Sequence, residues 1–81
     1  MKIQVTFDKP INGYWNGGPK SEGIFEVDSC HRLSDQHVCF GSWGLNHFFN
    51  VKIGRSEKET LSRAIRHLRN NIRFPAKIEA V

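Results

Sequence analysis

Ser56-Glu57-Lys58-Glu59-Thr60-Leu61-Ser62-Arg63-Ala64-Ile65-Arg66-His67-Leu68-Arg69-Asn70-Asn71-Ile72, residues 56–72, carries the strongest local signal in the chain. Ser56 and Glu59 form a capping box: the serine oxygen accepts from the amide of the third helical residue, and the glutamate reaches back to the cap. Leu61, Ala64, Ile65, Leu68 and Ile72 then recur at helical spacing, which gives one apolar stripe long enough to lie across a sheet. Pro75 forbids continuation of the helix.

Outward from this helix, the chain reads as strands. Lys2 to Asp8 alternates, with Ile3, Val5 and Phe7 on one face and Lys2, Gln4 and Thr6 on the other, the pattern of a half-buried strand that Pro10 ends. Lys9 to Glu22 is dense in turn signals, Asn12-Gly13 and Asn16-Gly17-Gly18-Pro19, and reads as a long loop or a short irregular hairpin. Gly23 to Asp28 resumes strand character, and His37 to Trp43 supplies an antiparallel mate across a turn at Arg32 to Gln36. His47 to Ile53 alternates again, and Gly54 closes it. After Pro75, Ala76 to Val81 is apolar enough to return as a short fifth strand. The expected fold is therefore α+β: an antiparallel sheet of about four strands, with a fifth at the carboxyl end, and one amphipathic helix packed on one face.

Length and composition bound what such a fold can do. Eighty-one residues make one domain near the lower end of what a single apolar core can hold together. Hydrophobic residues are 38% and charged residues 25%, close to ordinary globular usage, so a folded core is expected. Twelve Lys and Arg against eight Asp and Glu give a formal net charge of +4, which favours an acidic partner such as nucleic acid or an acidic protein surface. No apolar run approaches the ~20 residues a membrane span needs. Met1 to Val5 has no signal-peptide pattern, and the expected location is cytoplasmic. Two cysteines are too few for a disulfide scaffold, so reduced thiols are the default.

Three groups of residues could carry chemistry. Cys30, His31, His37 and Cys39 are ligand types that zinc prefers. If the second and third strands pair so that Cys30 faces Cys39, with Leu33 to Gln36 as the turn, then Cys30, His37 and Cys39 share one face opposite Phe25, Val27 and Phe40, and His31 points the other way. The spacing is not that of a standard finger, and small apolar cysteines with solvated histidines are the ordinary explanation. The expectation is accordingly no metal and no cofactor.

Tyr14-Trp15 places two large aromatics in a glycine-rich segment, where they can anchor a partner or fold back as a satellite core. The helix supplies the third group, with Arg66, Arg69 and Arg73 at helical spacing and Arg63 and His67 beside them, a cationic stripe towards its carboxyl end.

Catalytic motifs are absent from the sequence. Gly13, Gly17 and Gly18 lack the Gly-Lys-Ser/Thr ending and following helix of a phosphate-binding loop. Gly41-Ser42-Trp43-Gly44 lacks the spacing of a nucleophile elbow, and Asp28, Ser29 and His31 alternate between faces and cannot form a triad. Trp43, Leu45, Phe48 and Phe49 read as core or interface.

A chain this small has little room for a water-excluding catalytic pocket, so it is expected to bind and not to catalyse. The size and the missing enzymatic signature suit a stoichiometric inhibitor or adaptor of phage or mobile-element type, a host-defence antagonist docking on a protein or nucleoprotein complex. The expected partner-binding residues are Tyr14, Trp15, Arg63, Arg66, Arg69 and Arg73. The competing expectation is a nucleic-acid-binding module that uses the same basic helix face and loop aromatics. An exposed edge strand would also permit a homo-oligomer.

Overall fold

The computed structural model describes residues 1–32 and 34–81, apart from the side chains of His31 and Arg32. Leu33, in the expected turn, and the side chain of His31, in the cysteine-histidine group, lie outside the described residues. The element order is β1 (Lys2–Trp15), β2 (Gly18–Arg32), β3 (His37–Ser42), β4 (His47–Lys52), α1 (Glu57–Asn71) and β5 (Ala76–Ala80). The strands form one antiparallel sheet in the order β4-β3-β2-β1-β5, and α1 packs against it, touching β4 and β5.

Register explains the core. Ile3 lies opposite Val27 and Val5 opposite Phe25, while Phe40 lies opposite Phe49 and Val38 opposite Val51. Because side chains alternate along a strand, these pairs put all their apolar groups on one face. Ala64 and Leu68 of α1 cover that face and have no solvent exposure. The other face carries Lys2, which pairs with Glu26 at 3.5 Å and Asp28 at 3.9 Å. Among the described residues, no helix is long and apolar enough to cross a membrane.

The first strand does not stop at Pro10. Thr6 pairs with Ile24 but Ile11 pairs with Glu22, so residues 7–10 of β1 stand against Gly23 alone. Such an irregularity frees Pro10 from supplying an amide to the ladder, which is how a strand tolerates proline. Phe7 instead pairs with Ala76 of β5, and the Asp8 amide donates to the Pro75 carbonyl at 3.2 Å. Pairing then resumes as far as Trp15 opposite Gly18, so residues 11–22 form the outer part of one long hairpin and not a loop. Its tip is Asn16-Gly17, and Gly17 has φ +96°, open to glycine at little cost.

The helix begins as its sequence requires, with one substitution of partners. Ser56 caps it, its Oγ accepting from the Glu59 amide at 3.2 Å. The Glu59 carboxylate does not close the reciprocal half of the box but binds Arg63 Nη2 at 2.9 Å. Thr60, outside the apolar stripe read from the sequence, is 2% exposed. Its hydroxyl accepts from the Gly54 amide at 2.9 Å and donates to the Ser56 carbonyl at 3.1 Å, which satisfies it in the core.

Candidate partner-binding groove

The outer half of the first hairpin folds over the end of the core. The Tyr14 amide donates to the Gly44 carbonyl at 2.8 Å, tying the hairpin to the turn between β3 and β4. The Trp15 indole stacks on Phe25, ring centroids 5.5 Å apart and planes 13° apart. Two glycines make room for it. A β-carbon on Gly13 would come within 2.5 Å of Trp15 Nε1, and one on Gly44 within 2.7 Å of the indole's far edge.

The helix ends opposite this arm. Ile72 is the C-cap, with φ −83° and ψ 123°, and its amide donates to the Leu68 carbonyl at 2.8 Å. That extended conformation turns Arg73, Phe74 and Pro75 away from the helix axis towards β5, as expected of residues leading into a proline. Between the helix end and the hairpin arm runs an open groove of about 540 Å³. Phe7, Ile11, Leu45, Leu68 and Ile72 give it an apolar lining, and Tyr14, His47, Asn71, Arg73 and Phe74 supply polar and aromatic groups. Tyr14 is 67% exposed and Phe74 62%, so both rings have free faces. The described lining contains an arginine and no carboxylate.

The six residues expected to bind a partner separate into two groups. Tyr14 and Arg73 both line the groove. Arg66 and Arg69 are exposed on the helix, and among the described residues no carboxylate lies within salt-bridge range of them or of Arg73. Arg63 is occupied internally: besides Glu59, its Nη1 donates to the carbonyls of Lys52 at 3.0 Å and Ile53 at 3.4 Å. Trp15 is half-buried, and its Nε1 is buried with no hydrogen-bond partner among the described residues. Such an orphan donor costs about 1–3 kcal/mol, which the stacking and burial of the indole offset.

Cys30, His37 and Cys39 are only partly brought together. Ser29 pairs with Phe40 but Arg32 pairs with Val38, so a bulge sets Cys30 and His31 jointly against Cys39. The two thiols are close enough to interact. Burial, then a hydrogen bond in which the Cys30 thiol donates to Cys39 and the charges of Cys39 and Asp28, push the Cys30 thiol up from its ordinary value. His37 is exposed at the start of β3, paired in register with Lys52. Among the described residues, no three histidine, cysteine or acidic side chains converge as a metal-holding group.

Two features escaped the sequence reading, Phe74 and a histidine pair, while Trp43 and Phe48, read there as core or interface, prove to be exposed. Phe74 becomes a groove residue only because the chain leaves the helix just before it. Trp43, 78% exposed, meets Phe48 edge-on at 5.1 Å on the uncovered sheet face, where the Phe48 ring also lies over Gly41. His47 and His67 form a pair, their Nε2 atoms 3.1 Å apart, and the His67 ring stacks on Phe49 at 4.0 Å. Burial, and next the neighbouring His47, hold the His67 pKa below its ordinary value. Twenty residues separate these histidines, and no periodicity links them.

The fold and groove together define a small α+β domain with an open, largely apolar cleft that carries Arg73 on its rim. Comparison with protein-family models, with curated proteins and with solved structures found no match.

Proposed function

We propose that this protein is a non-enzymatic binding protein, a stoichiometric inhibitor or adaptor of phage or mobile-element type that docks on a host protein or nucleoprotein complex. The observation that carries this reading is that Tyr14 and Arg73, far apart in sequence, both line one open groove whose lining is otherwise largely apolar. Aromatic and arginine side chains around an apolar depression are what binding hot spots are made of, since they combine large buried area with directed hydrogen bonds. The groove suits a partner segment that offers an apolar side chain to its floor and a carboxylate or phosphate to Arg73. Occlusion is the mechanism: the bound domain covers a surface that its target needs.

Arg66 and Arg69, exposed and clear of carboxylates among the described residues, support a second reading as a nucleic-acid-binding module. Salt separates the two. Phosphate contacts release counterions, so nucleic-acid affinity falls log-linearly and steeply with salt, whereas a groove-anchored protein interface responds weakly. The deciding experiment is affinity capture from the native cell with and without nuclease, using wild type, Tyr14→Ala and Arg73→Ala. Nuclease-resistant recovery of one protein near 1:1, lost in both variants, supports the inhibitor or adaptor. Recovery of nucleic acid alone rejects it.

A further inference from the structure

The His47 and His67 side chains converge from β4 and α1 with their Nε2 atoms 3.1 Å apart. We propose that this pair is a binding site for a borderline divalent transition-metal ion, Zn²⁺ as the reference case, which joins the helix to the first residue of β4.

The separation is right for a shared ion. Zinc sits ~2.0–2.1 Å from an imidazole nitrogen, so an ion equidistant from two nitrogens 3.1 Å apart would subtend an angle of roughly 98°. Opening that to the tetrahedral value requires the nitrogens to part by about 0.2–0.3 Å, and the rings, which stand nearly end to end with centroids 5.3 Å apart, to turn so that both lone pairs meet at the ion. Imidazole suits zinc, copper and nickel better than the hard cations. The site is therefore not one for Mg²⁺ or Ca²⁺, which seek oxygen.

The pair is also backed by the core. His67 is stacked on Phe49 with planes 12° apart, and His47 lies against the same ring at 5.4 Å, so a single phenylalanine backs both imidazoles. Phe49 itself is 8% exposed and stacked on Phe40, which fixes the support. Side chains restrained by packing lose less entropy on coordination than free ones. The ion needs bare ring nitrogens, so its binding competes with protons.

As it stands, the hydrogen bond between the rings requires one Nε2–H and one bare Nε2. Metal binding converts the donor ring to its Nδ1–H tautomer, with no net proton lost, and replaces one weak hydrogen bond by two coordinate bonds. His47 also lines the groove, so water can reach the remaining coordination positions.

The test is titration of the full chain with ZnCl₂ at pH 7.5, followed by calorimetry and by the histidine Cε1–H resonances. The expected result is saturable 1:1 binding that perturbs the His47 and His67 resonances. The affinity should be at least about tenfold weaker in His47→Gln and in His67→Gln, since even loss of a ligand's supporting group costs that much. Cys30→Ser/Cys39→Ser should bind as wild type does. Circular dichroism of each variant establishes that it is folded, and His47→Gln, at the groove rim, retains the helix packing if His67→Gln does not. Undetectable binding up to millimolar Zn²⁺ overturns the proposal, as does binding that survives in a folded His47→Gln or disappears with the two thiols.

Discussion

Trp15 lies nearly parallel to Phe25, with ring centroids 5.5 Å apart, so the tip of the first hairpin is fastened to the same ring that fills the middle of the sheet. The indole is thus part of the framework that shapes the groove. Trp15→Ala should destabilise the protein by about 2–3 kcal/mol, below the range for a fully buried tryptophan because the side chain is only half-buried. Urea denaturation followed by circular dichroism measures this. A change below about 0.5 kcal/mol, the level of an ordinary surface substitution, would show that the stacking does not hold the arm.

Tyr14 and Arg73 should behave in the opposite way. Both are exposed at the groove, so replacing either by alanine should leave stability within about 0.5 kcal/mol. Affinity for a captured partner should fall by roughly tenfold or more for each, the scale of a hot-spot residue. Surface plasmon resonance alongside thermal melts separates the two quantities.

Arg63 should affect stability and spare binding. Its guanidinium joins Glu59 to the last carbonyls of β4 and the following residue, linking the first half of the helix to the sheet edge. The Glu59 pair is partly exposed and worth about 0.3–0.5 kcal/mol alone, and the carbonyl contacts bring the expected loss in Arg63→Ala to about 1–2 kcal/mol. Unaltered partner affinity in that folded variant would place Arg63 outside the contact surface.

Gly13 is required by close approach. A β-carbon there would lie 2.8 Å from Phe25 and 3.0 Å from the Gly44 carbonyl, in addition to the indole nitrogen. Gly13→Ala should therefore cost about 1–3 kcal/mol through overpacking. Nothing lies within 4 Å of such a carbon on Gly17, where the φ of +96° alone opposes substitution. Melting temperatures of the two alanine variants, compared with wild type, check both statements.

His67 makes stability depend on pH in a defined direction. His67 has a folded pKa below its ordinary value of 6.5, so just below that pH the unfolded chain binds more protons than the folded one. Stability from this group is complete above about pH 6.5 and declines as pH falls towards the folded pKa. His67→Gln should flatten the denaturation midpoint against pH between about 5 and 7. An unchanged slope would show that His67 titrates normally. Cys30, pushed up from 9.0 by burial first, gives the opposite sign: stability should decline as pH rises above 9.0. At neutral pH its alkylation should be slower than that of a free thiol, because less thiolate is present.

Much of the framework was legible because its signals are local. The Ser56 cap, the stripe through Ala64 and Leu68, and the alternation of Ile3, Val5 and Phe7 each depend on residues a few positions apart. The fifth strand was legible for a similar reason, as an apolar run released by Pro75. Pro10 misled because a proline ends a strand only when its amide would have been used, and here an irregularity in β1 removes that demand. Thr60 was missed because its hydroxyl reads as polar until the Gly54 amide is placed beside it.

By itself, the sequence determined the α+β class, the strand and helix faces, and the cationic character of the helix's carboxyl half. Tertiary structure alone decided which of the candidate contacts are free: it spent Trp15 and Arg63 on internal packing, placed Tyr14 and Arg73 along one groove, and set His67 against His47. The division follows from range. Periodicity and capping report what a residue's near neighbours require, whereas a groove or a side-chain pair is made by chain closure between distant segments, through register and curvature that no short window contains.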